Sequence, residues 1–468
     1  MKKRLFAAKG FLSISLAGIL TGYVSSAMAS GFQLFEENGV GVGDYDAGGA
    51  AIAEDASTAF YNPAGLTRLD HQQFVASADG IMFNSKFTGT SQWGTNIGNP
   101  LTGAPLLPPT GESGTAQGGK DGVIPSFYYS VPINPAMVFA AGLTVPFGLQ
   151  TMWGDDSIVR YTATESSLTV VDFTPAIGVK LTDQWSVGAG ADIERLNATL
   201  SSMAGLPSFA LATGLPTTAF DTESENTAND WGYGYHVGVL YQLTPDTRFG
   251  LAYHSQVSFE PTGNSEFEGP MAATPAPTPF LNTQISNNGA NTSISMPAFT
   301  MLSGYTNITP IWAVMGSVTY TQWEIFNHLQ LNNVEAVVPD LVTGGFDPTQ
   351  ISVFIPENFR NTWRGSLGTS VQLTDQWLLR GGVGYDENPT NAVDRNLRLP
   401  DGNRFALAIG AHYQASRCIG LDVGYTHLFI DNGGINNTVI FGPQTDTTIG
   451  TTSNYANVVG AQITWDIA

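Results

Sequence analysis

From Trp231 to Leu243 the chain reads Trp-Gly-Tyr-Gly-Tyr-His-Val-Gly-Val-Leu-Tyr-Gln-Leu, and its two faces differ in kind. Tyr233, Tyr235, Val237, Val239 and Tyr241 share one face; Gly232, Gly234, His236, Gly238, Leu240 and Gln242 share the other. Successive side chains of a strand point to opposite sides, so the alternation marks a strand. The closing segment repeats it, with Val459, Ala461, Ile463, Trp465 and Ile467 set against Gly460, Gln462, Thr464 and Asp466. Trp312, Val314, Val318 and Tyr320 likewise oppose smaller or more polar neighbours. Alternation over about ten residues, with aromatics near the ends, is the pattern of a membrane-spanning β-strand. The rings belong at headgroup level. A soluble β-sandwich also alternates, but low charge, Gly-x-Gly spacing and the N-terminal segment favour the membrane.

Of 468 residues only 12% are Asp, Glu, Lys or Arg, about half the share usual in soluble proteins. Low charge and 11% aromatics argue against disorder, which is charged and poor in aromatics. Acidic residues number 39 and basic residues 18, a sign opposite to that of a nucleic-acid binder. The single cysteine, Cys418, excludes an intrachain disulfide and a cysteine-based metal cluster.

Lys2, Lys3, Arg4 and Lys9 precede an apolar stretch from Phe11 to about Val24, and Ala27-Met28-Ala29 follows. These are the parts of a signal peptide over 1–29, cleaved before Ser30. The apolar run is short for an uncleaved anchor, and no later run of 18 apolar residues suggests a transmembrane helix. The expected location is the bacterial outer membrane.

Short turn signals stand at 132–135, 181–184, 243–246, 309–310, 373–376 and 415–417. Longer stretches rich in Gly, Pro, Asn and Thr lie near 90–122, 150–165, 198–230, 260–291, 327–357, 387–403 and 431–454. Six short turns alternating with seven long loops give fourteen strands over 72–468. The expectation is all-β: a 14-stranded antiparallel transmembrane barrel, short turns in the periplasm and long loops outside. In lipid every backbone group must be bonded internally, which closure achieves. Leu-Thr-Asp-Gln-Trp recurs at 181–185 and 373–377 as turn chemistry with an interfacial Trp. Residues 30–71 break the strand pattern with Gly39, Gly41, Gly43, Asp44, Asp46, Gly48, Gly49, Glu54 and Asp55. Too short to fold alone, they are expected to plug the barrel as a hatch; a loose periplasmic tail is the alternative.

The start Ser30-Gly31-Phe32-Gln33-Leu34, the Gly-rich run, Asp55-Ala56 and Asn62-Pro63-Ala64 resemble the N-terminal hatch of FadL-type outer-membrane transporters. The resemblance continues through Pro146-Phe147-Gly148-Leu149, Trp185-Ser186-Val187-Gly188, Trp231-Gly232, Leu251-Ala252-Tyr253, Trp323, Trp363-Arg364 and Pro400-Asp401-Gly402-Asn403-Arg404. The chain departs from the family in ending Trp465-Asp466-Ile467-Ala468 rather than on an aromatic residue. Members carry long-chain fatty acids or, in some branches, aromatic hydrocarbons. The resemblance implies passive uptake: capture on an outer apolar patch, passage to a deeper pocket, and lateral release into the membrane.

Each implied part has a place here. The outer patch falls on 198–230 and 260–291, where Leu206, Phe209, Phe220, Phe267 and Phe280 are too many apolar residues for loops that merely face water. The opposing possibility is that they bury one another and hold the loops shut. The lateral gap falls on Pro146-Phe147-Gly148, where Pro lacks a ladder donor and Gly packs nothing. A plain strand end is the alternative. Ser30, Gly31, Phe32, Asn62, Pro63 and Ala64 carry the hatch. A buried fatty-acid carboxylate needs a cationic partner, for which Arg360 and Arg195 are the candidates; pairing with a wall carboxylate is the alternative, and a hydrocarbon needs neither. Neither a metal nor a cofactor is expected, and the expected partners are the hydrophobic ligand, outer-membrane lipid and lipopolysaccharide, with the barrel monomeric.

Enzyme motifs are missing: no Gly-x-Ser-x-Gly elbow, no phosphate loop, no His-x-x-x-His pair. His236 and His412 fall on inward faces, where a barrel lipid hydrolase would keep a base. A structural or adhesive barrel is the other rival, and it would not need the hatch. Asp221, Glu223, Glu225 and Asp230 in one outer loop are expected to be solvated, with divalent-cation binding as the alternative.

Overall fold

The first strand, Gln72–Thr95, pairs antiparallel along its whole length with the last, Gln444–Ile467, from Gln72 opposite Ile467 to Thr95 opposite Gln444. That seam closes the sheet. A computed structural model describes residues 31–95, 109–273, 276–339, 346–441 and 444–467. The expected signal peptide at 1–29 and Ser30 lie outside the described residues.

Twelve further staves run between the seam strands. They are Thr110–Gln117 with Gly122–Asn134, Met137–Met152, Glu165–Lys180, Trp185–Ala204, Thr222–Gln242, and Thr247–His254 continued by Val257–Phe259 and Thr262–Glu268. Next come Gln284–Asn291 through Ile294–Met296 to Phe299–Thr309, Trp312–Thr321 with His328–Pro339, and Phe346–Pro356 with Thr362–Gln372. Trp377–Asp386, Arg404–Ser416 and Ile419–Phe441 complete the ring. The barrel has the fourteen antiparallel staves expected, and all six short turns fall where the turn residues stand.

Local chemistry explains those turns. Thr182 Oγ1 accepts the Trp185 amide at 3.0 Å, and Thr374 Oγ1 accepts the Trp377 amide at 3.1 Å. The Thr side chain thus replaces one missing ladder partner. Trp185 and Trp377 then lie outward against Tyr241 and Tyr413, at 4.4 and 4.7 Å between ring centroids. Tyr233, Tyr235 and Val237 also face out, whereas Gly232, His236, Gly238 and Leu240 face in. Leucines and aromatics outside and small or polar residues inside are what a lipid-facing wall requires.

The outer connections are shorter than expected, because strand pairing continues into the polar stretches. Ile419–Phe441 and Gln444–Ile467 stay paired from Ile419 opposite Trp465 to Phe441 opposite Gln444, absorbing most of 431–454. Much of 198–230 is the paired ribbon of Trp185–Ala204 with Thr222–Gln242. Thr, Asn and Gly satisfy a backbone ladder as well as Val does; polarity sets which solvent they stand in, not whether they pair.

Inside the ring lies the segment from Gly31 to Leu69, almost wholly buried. It contains the one-turn helices Gly39–Val42, Gly49–Ile52 and Thr58–Tyr61 and the 3₁₀ stretch Pro63–Arg68. Wall glycines make room for it. A Cβ on Gly238 would sit 1.9 Å from Asn62 Oδ1, one on Gly188 2.3 Å from the Pro63 carbonyl carbon, and one on Gly382 2.0 Å from the Asp44 carbonyl oxygen. Gly188, Gly238 and Gly382 are therefore part of the socket for this segment, whereas Gly232 and Gly234 make room for Val257 and Phe259.

Candidate functional site

The inner end of the site is a break in the wall. Met137–Met152 pairs with its predecessor Gly122–Asn134 only up to Leu143 opposite Phe127. On its other side the register slips by one residue between Thr144 and Phe147. Pro146 has no amide to give, and the slip is a β-bulge around it. Burial reports the consequence: alternation stops, and all eight residues from Thr144 to Thr151 are buried. The stave bends off the wall there and leaves a free edge.

The N-terminal segment fills that edge. The Leu34 amide donates to the Pro146 carbonyl at 2.9 Å, and the Gly148 amide to the Phe32 carbonyl at 2.8 Å, with Gln33 bridged to Phe147. The Phe32 ring stands edge-on to Trp323 at 4.6 Å and to Phe326 at 5.6 Å. Gly31 has φ +62°, and a Cβ there would sit 2.8 Å from the Trp323 ring. Its amide donates to Asp401 Oδ2 at 3.0 Å.

Phe32 also forms part of the wall of an apolar chamber. Leu149, Leu168, Leu196, Ile294, Phe326, Phe359 and Leu399 line it. A second chamber, reaching to Thr162 and Asn437, shares Leu200, Leu331, Val334 and Arg398 with the first. Two ionisable groups, Arg398 and Glu357, stand among the lining residues. Arg398 donates from Nη1 to the Glu165 carbonyl at 3.2 Å, Ser166 Oγ at 3.0 Å and the Ser201 carbonyl at 3.2 Å. Burial pushes it down to about 10, with Glu357 opposing. Glu357 accepts from Asn396 Nδ2 at 3.0 Å. Burial pushes its carboxyl up to about 8 against that bond and the charge of Arg398.

The rest of the buried segment is held by charge and by backbone. Arg380 Nη1 reaches Glu54 Oε1 at 2.7 Å, Arg364 Nη2 reaches Asp46 Oδ2 at 3.6 Å, and Arg248 Nε donates to the Ala51 carbonyl at 2.6 Å. Burial would raise Glu54, but Arg380 holds it below its ordinary value. Glu36 is instead pushed up to about 7, by burial first, against the Phe35 amide bond and with the Asp46 charge adding. Glu37 and Asp44 are raised by burial as well. Asn62, fully buried, accepts the Ala64 amide at 3.1 Å and donates to the Ala50 and Val239 carbonyls at 2.7 and 3.1 Å, capping the stretch that Pro63 opens.

Several expected placements are corrected. Arg360 does not face the chamber: it follows the strand, its side chain is exposed, and Nε donates to the Asn388 carbonyl at 3.1 Å. Arg195 is on the outer face, 5.2 Å over the Trp231 ring and bonded to Asn229, because Asp192, Glu194 and Leu196 take the inward positions. The chamber arginine is Arg398, missed in a stretch that looked like polar loop although Leu397 and Leu399 flank it. The outer patch divides. Phe220 and Phe267 are buried together with Met271 and Val337, with Leu206 packed against them, so these side chains hold the outer ribbons to one another. Phe209 and Phe280 remain 45% and 66% exposed. Asp221 is not solvated: it binds Arg160 Nε at 2.7 Å.

The model of the outer membrane protein transport protein family (OMPP1/FadL/TodX) matches residues 21–467. A long-chain fatty acid transport protein of Escherichia coli O6:H1 is 27% identical over 452 residues, covering 92% of each chain. Outer membrane protein P1 of Haemophilus influenzae is 24% identical over 475 residues, covering 97% of this chain and 98% of that one. Among solved structures, a Pseudomonas aeruginosa FadL homologue superposes with a TM-score of 0.76 at 24% identity, over 94% of this chain and all of the other. The toluene transporter TodX of Pseudomonas putida gives 0.64 at 16% identity, over 92% and 99%.

Proposed function

This chain belongs to the OMPP1/FadL/TodX family of outer-membrane transport proteins, and on that footing we propose that it carries long-chain fatty acids through the outer membrane without an energy source. Residues 30–71 act as the hatch and 72–468 as the barrel wall. One observation carries the proposal: Phe32 belongs both to the apolar chamber and to the backbone pairing that fills the break at Pro146. Anything that displaces Phe32 from inside frees the edge outside it.

An alkyl chain gains about 0.8 kcal/mol per methylene buried, so the chamber needs no directed bonds to hold it. The carboxylate would settle on Arg398, whose bonds to the wall among the described residues come from Nη1, so that Nε and Nη2 can turn to the ligand. A neutralised Glu357 beside it would add no repulsion. The exposed Phe209 and Phe280 serve as the outer landing point. Moving the N-terminal residues aside then opens the gap between Met137–Met152 and Gly122–Asn134 toward lipid. That one chain closes the barrel supports a monomer in lipid and lipopolysaccharide as the working unit.

Uptake of aromatic hydrocarbons is the second reading, supported by the scarcity of charge in the chamber and the likeness of fold to a toluene transporter. Uptake of labelled oleate and labelled toluene by cells having this as their only such transporter separates the two. Oleate entry that falls in Arg398→Ala supports the fatty-acid reading. Toluene entry alone, equal in both proteins, replaces it with the hydrocarbon one.

A further inference from the structure

Beside the Asn62 cap, three adjacent staves bring Asp192, His236 and His254 together on the inner wall, all buried, with one ligand atom of each within 4.8 Å of the others. His236 and His254 are register partners and stack at 5.0 Å. Asp192 Oδ1 meets His236 Nδ1 at 2.6 Å, and Oδ2 lies 4.0 Å from His254 Nδ1. We propose that these three side chains form a binding site for a divalent transition-metal ion of the Zn²⁺ class, seated between the wall and the hatch.

Proton accounting supports it. With a proton on His236 Nδ1, its Nε2 is a fully buried acceptor, and it has no partner among the described residues. An ion on Nδ1 moves that proton to Nε2. The space left by the missing Cβ of Gly190 contains both His236 Nε2 and the Pro175 carbonyl, 2.2 and 2.8 Å from where that carbon would stand. The Pro175 carbonyl is the neighbouring backbone acceptor, although it does not bond Nε2 in this arrangement. His254 already has this arrangement, with Nε2 at 3.0 Å from the Phe60 carbonyl of the hatch and Nδ1 turned to Asp192. Metal-bound imidazoles characteristically give their second N–H to a carbonyl.

Charge points the same way. Asp172 and Glu194 are buried register partners on the same inner face, and among the described residues no Lys or Arg lies within 4 Å of either or of Asp192. Two imidazoles and a carboxylate suit Zn²⁺ rather than Ca²⁺ or Mg²⁺, which take oxygen ligands. Ligand bonds near 2.0–2.2 Å require one imidazole to turn out of the stack, because the in-plane lone pairs of near-parallel rings do not meet at one point. The ion would fix His254 on Phe60 and so tie the hatch to the wall.

The test uses full-length protein without a histidine tag, purified in detergent, stripped with chelator and dialysed against Zn²⁺. One zinc per chain is expected, retained in His412→Ala. In His236→Ala and His254→Ala affinity should fall by more than the roughly 10–100-fold that loss of an outer partner costs. Replacement by Co²⁺ should give the visible spectrum of a four-coordinate site in wild type. Wild-type protein that keeps its folded gel mobility yet retains no zinc overturns the proposal, as does wild-type zinc affinity in both His236→Ala and His254→Ala.

Discussion

The Gly148 amide donates to the Phe32 carbonyl at 2.8 Å, so a residue of the buried N-terminal segment completes the ladder of a stave that its own neighbour has left. A free sheet edge facing lipid is costly. The N-terminus removes that cost in the closed state, and the Phe32 side chain couples the repair to the state of the chamber. A ligand that takes the ring's place in the chamber competes with the pairing.

Phe32→Ala should loosen this seat selectively. The side chain is 2% exposed against three aromatic rings, and truncations of that kind cost about 3–5 kcal/mol. Hydrogen exchange at the Leu34 and Gly148 amides should accelerate by orders of magnitude while the seam between Gln72–Thr95 and Gln444–Ile467 stays protected. Uniform acceleration along the barrel would show a general fault instead.

Arg398→Ala should weaken oleate binding about tenfold or more, since a hydrogen bond to a charged group contributes roughly 1.5–3 kcal/mol. Arg360→Ala and Arg195→Ala should stay within about twofold of wild type, as surface substitutions do. Fluorescent fatty-acid displacement on purified protein measures all three.

Hatch docking should weaken as pH rises. Glu36 goes from an ordinary 4.5 to about 7 on burial, so the docked state binds its proton more tightly than the undocked one. The contribution is complete below about pH 4.5 and lost as pH passes 7. Exchange of amides 35–46, corrected for the intrinsic pH effect, should be slower at pH 5 than at pH 8. Glu36→Gln should reduce that difference, Glu37 and Asp44, also raised by burial, carrying the remainder; an unchanged profile would assign it elsewhere.

Gly238→Ala should dislodge the hatch, because the new methyl would meet Asn62 Oδ1 at 1.9 Å. Gly434→Ala, with nothing within 4 Å, is its control. In planar bilayers the first variant should show raised conductance and the second the wild-type value.

The wall was legible because lipid enforces a strict period of two and turns need particular residues: Trp231 to Leu243 and the two Leu-Thr-Asp-Gln-Trp turns declare themselves. The pocket was not. Facing in or out depends on parity, and one residue separates inward Glu194 from outward Arg195. Arg398 lies in an irregular stretch with no period at all, so only the fold brings it to the chamber. The extent of the outer ribbons escaped because polar residues pair as readily as apolar ones. The Asp192, His236 and His254 cluster spans three staves, and sequence distance hides it.

The central claim is that the N-terminal pairing must come apart for cargo to leave. Gln33→Cys with Phe147→Cys, in a Cys418→Ser background, places two thiols on bridged strands at a separation of about 4.5–5.5 Å between Cα atoms, within disulfide range. Oleate uptake by cells carrying this variant should fall to the level of cells without transporter when oxidised and recover on reduction. Uptake at the wild-type rate with the disulfide fully formed would contradict the account.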